Sequence, residues 1–564
     1  MRGWSLLMMA LASTGLGIAQ SSVKPMVDAL DRTRPKLPDF DPPAWTPGTI
    51  LPRVTPPAAP EIKSLFSEMR VPVRHIRVTG NTVLSQKALD AITAVYEGKQ
   101  LSFADLERLR DELTVAYIQL GFVTSGAVIP DQKIQDGVVE IRIIEGKLSV
   151  VEAETDGRLK PSYVLSRLQL RKSEIVNVDE IEEALQLLRQ DSRIEGLNAE
   201  LVPADKRGES QLLMKVHEGR EHREVLRLNN YQPLSVGSAG GEADFTHSNL
   251  SGSGDTVFGS FRGTHGLRDL NITYSAPLNS AGTTLSFHCD VARSEIVQEP
   301  FAKLDIKSSM ESYGIVLLHP VRRTRRSEFG LFLEGEIRRS QSFLLGSGFR
   351  FTDDLTEDGV AHVSVIRFGQ AYTRSGIGQA LAMRSSLTVG LKIFGATHPV
   401  GSSDARFLAW LGQFQWARRI RALGAGAQFI LRGDAQFADS QLPGLEKLAL
   451  GGRETVRGYH ENELVRDNGM LGSAEVRIPV LKLGDEAMVL EVAPFADVGR
   501  SWNTNQPSVQ AETLPSVGAG LRLRNRNRLQ AEIYWGHAFR DVGAIGKWSL
   551  QDIGIHVGLV WRIP

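Results

Sequence analysis

The apolar positions of this chain follow two periods, and the changes of period divide it. Between Val71 and Gly219 the spacing runs from two residues to three or four and back to two, and this course is completed twice. In the first copy Val73, Ile76 and Val78 predict a strand, Gly80-Asn81 a turn, and Leu89, Ile92 and Val95 a helix after Ser85. A second helix is predicted from Ser102, with Asp105 three residues on as its acidic capping partner. Its apolar face is Leu106, Leu109, Leu113, Ala116, Tyr117 and Leu120, and Gly121 is the C-cap. Strands are predicted over 122–129 and 138–144. The second copy reads as a strand at VVEAE, helices from Ser162 and Asp179, the latter with Ile181, Ala184, Leu185 and Leu188 on one face, and strands near 197–202 and 212–216. The copies close on Glu145-Gly146 and Glu218-Gly219, so two α+β domains are expected, at 72–146 and 147–219.

After Gly219 the helical period ends. Segments of about ten residues such as LNITYSA, TTLSFHCDVA, FGLFLEGEI and IHVGLVW alternate polar and apolar positions between turn clusters, and 40 of the 54 glycines lie here. Alternation with no helix to cover either face predicts a membrane β-barrel, apolar outside and polar inside. Residues 220–564 at roughly 21 per strand and connection give about 16 strands. A large soluble β-sandwich or β-helix is the alternative. Pro277, Pro320 and Pro479 are expected to end strands at tight turns, and Trp561 to stand in an interfacial aromatic girdle.

Composition removes several classes. Sixty-five Lys and Arg balance 65 Asp and Glu, which gives no footprint for a nucleic-acid binder. One cysteine, Cys289, excludes a disulfide scaffold and a cysteine-based zinc site. Residues 1–20 carry Arg2, an apolar run and small residues up to Ala19, the pattern of a secretory signal peptide. Residues 21–71 form an N-terminal segment. Val23–Arg34 places Val23, Met26, Val27 and Leu30 on one helical face, and nine prolines between Pro35 and Pro60 make an extended linker.

No residue pattern supports an enzyme, a cofactor or a resident metal. His217-Glu218 followed by His222 has the wrong spacing for a zinc helix, and Gly252-Ser253-Gly254-Asp255 lies between alternating segments, as a hairpin would. One loop is distinctive: Gly451 to Tyr459, containing Val456-Arg457-Gly458-Tyr459, is polar and punctuated by glycine between two strands. Further on, Asp497 interrupts the apolar strand Pro494-Phe495-Ala496-Asp497-Val498-Gly499. A carboxylate facing a barrel lumen needs a partner, because an unpaired buried charge costs several kcal/mol.

This arrangement of segments, with the Val456-Arg457-Gly458-Tyr459 loop and Phe495-x-Asp497-x-Gly499, resembles the outer-membrane transporters of two-partner secretion, the TpsB family. That family includes the haemolysin activator and filamentous haemagglutinin transporters and belongs to a wider superfamily of barrels bearing POTRA domains. Leu120-Gly121-Phe122 to Ile129-Pro130, with Asp136-Gly137 and Ile144-Glu145-Gly146, is similar to its first POTRA domain. The resemblance implies α+β periplasmic POTRA domains followed by an all-β transmembrane β-barrel of 16 strands. It implies an unfolded secreted exoprotein as partner, carrying an N-terminal secretion domain, recognised by the POTRA domains and exported without ATP through a barrel set in outer-membrane lipid. A loop around 451–464 would fold into the lumen with Val456, Arg457, Gly458 and Tyr459 against Phe495, Asp497 and Gly499, and Val23–Arg34 would be a candidate plug. An outer-membrane assembly factor, which shares the loop signature, is the alternative function, and a passive pore is a third.

Overall fold

The computed structural model describes residues 51, 70–168, 170, 174–352, 355–397, 405–424, 426–483, 488–505, 512–525, 528–540 and 548–563. The expected signal peptide, the candidate plug and all of the proline-rich linker except Leu51 lie outside the described residues. The chain divides into compact units at Gly219/Arg220.

The first unit holds two domains of one topology. In the first, β1 (Arg70–Val73) leads into β2 (His75–Thr79), α1 (Gln86–Thr93), β3 (Lys99–Ser102), α2 (Phe103–Gln119), β4 (Gly126–Val128) and β5 (Val138–Ile144). β5 lies between β2, to which it is parallel, and β4, to which it is antiparallel, while β1 and β3 pair separately. In the second, β6 (Lys147–Thr155), α3 (Pro161–Leu168), α4 (Val178–Arg189), β7 (Ile194–Pro203) and β8 (Glu209–Glu218) repeat the plan, with β8 in the middle.

Helix α2 begins as its sequence dictates. Ser102 Oγ accepts the Asp105 amide at 3.2 Å and the Asp105 carboxylate accepts the Ser102 amide at 2.9 Å, so two amides that the helix leaves over are satisfied. Leu106, Leu109, Leu113 and Tyr117 are buried against Ile76, Val139 and Ile141 of the sheet, each leucine contributing about 2 kcal/mol. Leu120 and Val95 depart from expectation and are exposed. Leu120 is the C-cap of α2, and α1 ends at Thr93, two residues before Val95. The strand predicted over 122–129 shrinks to Gly126–Val128, because Phe122 folds back to donate its amide to the Tyr117 carbonyl.

The two domains join at this helix end. Gly121 adopts φ +88°, its carbonyl accepts the Val178 amide at 2.9 Å, and a Cβ at 121 would stand 2.7 Å from Asn177 Oδ1. Asn177 is the N-cap of α4. Each domain is also closed in the same way by its final glutamate. Glu145 accepts the Thr82 amide at 2.6 Å and Glu218 the Leu159 amide at 2.8 Å, each from the loop after the first sheet strand. Leu51 is the exception in the proline-rich segment: it is buried in the second domain's core, and its amide reaches Glu182 Oε2 at 3.2 Å.

The second unit is a closed antiparallel barrel of sixteen strands from His222–Asn229 to Ile555–Arg562, which pair with each other to close it. On Lys307–Arg323, Ser312, Val316 and Leu318 are buried while Tyr313, Ile315, Leu317 and Val321 are exposed. On Ser327–Leu344, Glu334, Glu336 and Arg338 are buried while Leu333 and Ile337 are exposed. The polar face is thus inside and the apolar face outside, the inverse of a water-soluble protein. Among the described residues no helix is long and apolar enough to cross a membrane. Trp561 is exposed on the last strand.

Only Pro277 of the three prolines ends its strand. Pro320 and Pro479 lie inside Lys307–Arg323 and Asn468–Leu483, at register shifts between Pro320 and Arg322 and between Pro479 and Leu481. A bulge lets the ladder skip the missing amide and the strand continue, which the sequence pattern does not reveal.

Candidate functional site: the loop in the barrel lumen

The connection between strands Gln428–Ala438 and Asn468–Leu483 turns into the barrel. It has a short stem, Leu448–Leu450 paired with Leu464–Arg466, and a tip from Gly451 to Glu463. Gly451 and Gly452 take φ of +108° and +101°, which admits the sharp reversal after the stem. The Thr455 hydroxyl donates to the Gly451 carbonyl and accepts the Gly451 amide, both at 2.8 Å. Leu450, Val456, Tyr459 and Leu464 cluster with Leu471 and Leu514 of the wall, so the tip has its own apolar seat.

Arg457 is 1% exposed and uses its whole donor fork. Its Nε and Nη2 donate to Asp497 Oδ2 and Oδ1, each at 2.8 Å, a bidentate pair, and its backbone amide reaches the same carboxylate at 3.0 Å. Nη1 donates to Glu475 and Nη2 also to Ser473 Oγ at 3.1 Å. The guanidinium lies over the Phe495 ring, 3.6 Å from its centroid. Asp497 and Phe495 belong to Met488–Trp502, and Ser473 and Glu475 are their cross-strand neighbours.

The other signature residues have steric tasks. Gly458 has φ +94° and a Cβ there would stand 2.8 Å from the Gly536 carbonyl oxygen. Tyr459 is buried and donates its hydroxyl to the Pro515 carbonyl at 2.8 Å. A side chain at Gly499 would meet Val456 Cγ2 at 2.8 Å, so that glycine is the gap into which Val456 packs.

The structure therefore brings together all seven residues singled out in the sequence, and adds others. Glu475 holds Arg457 and Arg477, and the Tyr534 hydroxyl reaches Glu475 Oε1 at 3.2 Å. Arg453 pairs with Glu532 at 2.8 Å, lies 4.2 Å from the Tyr534 ring centroid, and Tyr231 donates to the same glutamate at 2.9 Å. Arg522 bridges Glu532 and Glu491 at 3.3 and 3.4 Å. Four arginines and four carboxylates thus fill one buried network, in which every charge has a partner of opposite sign. A signal for Glu475 and Glu532 was present, since each interrupts an apolar strand as Asp497 does.

The histidines of the apparent metal motif each have a partner of their own. His217 lies 2.6 Å from Asp156, while His222 faces His247 with their Nδ1 atoms 3.1 Å apart. Glu221, His222 and His247 stand near enough together to hold a cation, as do His288, Glu334 and Glu336, although Glu336 already serves Arg338 and Arg367.

Residues 208–523 match the family model described as haemolysin secretion/activation protein ShlB/FhaC/HecB, and residues 71–146 match the ShlB-type POTRA domain. The chain belongs to this haemolysin secretion/activation family. It is similar to the heme/hemopexin transporter protein HuxB of Haemophilus influenzae, at 23% identity over 473 residues covering 81% of each chain. It is also similar to the outer membrane transporter CdiB of Escherichia coli O6:K15:H31, at 23% over 409 residues, covering 70% of this chain and 67% of that one. Among solved structures, CdiB from Escherichia coli has the same fold, with a TM-score of 0.63 at 20% identity over 90% of this chain and 93% of that chain. BamA from Haemophilus ducreyi lacking POTRA domains 1–3 matches less well, with a TM-score of 0.53 at 12% identity over 88% of this chain and 100% of that one. The protein is an outer-membrane transporter of two-partner secretion, its barrel in the membrane and its POTRA region in the periplasm.

Proposed function

We propose that the transporter takes an unfolded secreted protein, recognised by an N-terminal secretion domain, onto the periplasmic domains and passes it through the lumen. Two features support this reading. Among the described residues the sheet order β6-β8-β7 leaves β7, ten residues long, at an edge to which an extended chain can add as a strand. The loop in the lumen is held by buried polar pairs, which water can replace, beside one small apolar cluster at its tip. The second domain, 147–219, acts as a second POTRA domain, and the outward apolar band is covered by outer-membrane lipid.

The observation that carries the proposal is the Arg457–Asp497 latch within a barrel that follows a POTRA domain. The latch holds the loop in the resting position and yields when a client enters. Relatives are named for heme/hemopexin and for hemolysin, so the passenger differs between members. Mass spectrometry of the culture supernatant and outer membrane of a deletion strain tests the reading. Loss of one or two secreted proteins, restored by the full chain but not by a chain lacking 72–219, is the expected result. General depletion of outer-membrane barrels would instead make the protein an assembly factor.

A further inference from the structure

The lumenal loop is held at a second place, by strands that the signature residues do not touch. Glu446 is 0% exposed and lies on the turn Gly444–Glu446, where the connection leaves the wall. Its Oε1 accepts Arg338 Nη1 at 3.0 Å and Arg367 Nη2 at 2.7 Å, and the Leu445 carbonyl accepts Arg338 Nη1 at 3.2 Å. Arg338 is on Ser327–Leu344 and Arg367 on Val360–Gly376. Three strands separate these from Asn468–Leu483, which helps to hold Arg457, so the loop is fixed to two distant parts of the wall.

The two anchors differ in what release leaves behind. Arg338 is already paired with Glu336, at 2.6 Å, and Arg367 with Glu334, at 3.3 Å. Withdrawal of Glu446 therefore leaves two arginines facing two wall carboxylates, a balanced set. Withdrawal of Arg457 strands Asp497. In addition, the Gln436 amide donates to the carbonyls of Glu446 and Asp467, both at 3.0 Å, and Lys447 pairs with Asp467 at 3.2 Å, so the two limbs of the loop are joined where Glu446 sits. Movement of Glu446 is thereby movement of the whole root.

We propose that Glu446 is a positioning residue for transport, the second and releasable anchor of the lumenal loop. Arg457 fixes the tip, Glu446 fixes the root, and full opening requires both to let go. The root anchor breaks without leaving an unpaired charge on the wall, which suits it to repeated release.

The test uses the full-length protein in planar lipid bilayers, where conductance is read without any passenger. Glu446→Gln keeps the shape and removes the charge, and it is expected to raise the frequency of open events about tenfold or more, since hydrogen bonds to charged groups are lost. Combined with Arg457→Lys it is expected to open more than either change alone, because Glu446 is held by Arg338 and Arg367 and Arg457 by Asp497 on other strands. Unchanged unfolding temperature and gel mobility without boiling would show that the barrel remains intact. Wild-type conductance in Glu446→Gln would overturn the proposal. If that variant does not insert, Glu446→Asp keeps the charge but draws the carboxylate back by one methylene. It should give the same change at smaller amplitude, and wild-type conductance there would equally overturn the proposal.

Discussion

Gly458 and Gly536 meet backbone to backbone. A Cβ on the first would lie 2.8 Å from the carbonyl oxygen of the second, and a Cβ on the second 2.7 Å from the amide nitrogen of the first. The loop can lie on strand Leu529–Ala538 only because neither residue has a side chain. Gly536→Ala should therefore lift the tip from the wall at a cost of about 1 to 3 kcal/mol. Secretion should fall while the barrel still inserts, as read by gel mobility before and after boiling.

Arg457→Ala should impair secretion more severely, since truncation leaves Asp497 buried and unpaired at a cost of roughly 3 to 5 kcal/mol. Arg457→Lys should rescue only in part, because an ammonium cannot make the bidentate pair or lie flat over Phe495. Equal secretion by the alanine variant and the wild type would remove the latch from the account.

The closing glutamates predict paired effects in the two periplasmic domains. Glu145→Ala should leave the Thr82 amide without its acceptor and the Tyr117 hydroxyl with Asn81 alone, and Glu218→Ala should take the acceptor from the Leu159 amide. Each change should cost about 1 to 3 kcal/mol, confined to its own domain. Limited proteolysis should show new cleavage in 72–146 for the first variant and in 147–219 for the second.

Acid should loosen the start of α2. Ser102 donates to Asp105 from both its hydroxyl and its amide, which holds the carboxyl below its ordinary value of 3.8. With the folded value below the unfolded one, this contribution to stability is complete above about pH 4 and is lost as pH falls through the depressed value. Ser102→Ala should cost about 1 kcal/mol and weaken that acid dependence. Hydrogen exchange of the first turn of α2 at pH 5 and pH 3, corrected for intrinsic rates, measures both effects.

Much of the architecture was legible because it rests on periodicity. The strand number, the capped helix at Ser102 and the duplicated domain follow from alternation, helical spacing and the paired Glu-Gly endings. The latch was half legible: Asp497 announced its need of a partner, but only the superfamily-like loop signature pointed to Arg457. Glu446, Arg338 and Arg367 were not legible as a group, since they converge through barrel closure across more than a hundred residues of chain. The bulges at Pro320 and Pro479 were misread because a proline that ends a strand and one that dents it look alike without the neighbouring register.

The outward row of Tyr313, Ile315 and Leu317 beside the inward row of Ser312 and Val316 has a consequence for handling the protein. With 42% hydrophobic and 23% charged residues, the chain carries no more apolar material than an ordinary water-soluble enzyme. Its insolubility is a matter of placement, and purification is governed by whatever amphiphile replaces the bilayer around that row, while salt and pH, which act on the charged lumen, are secondary.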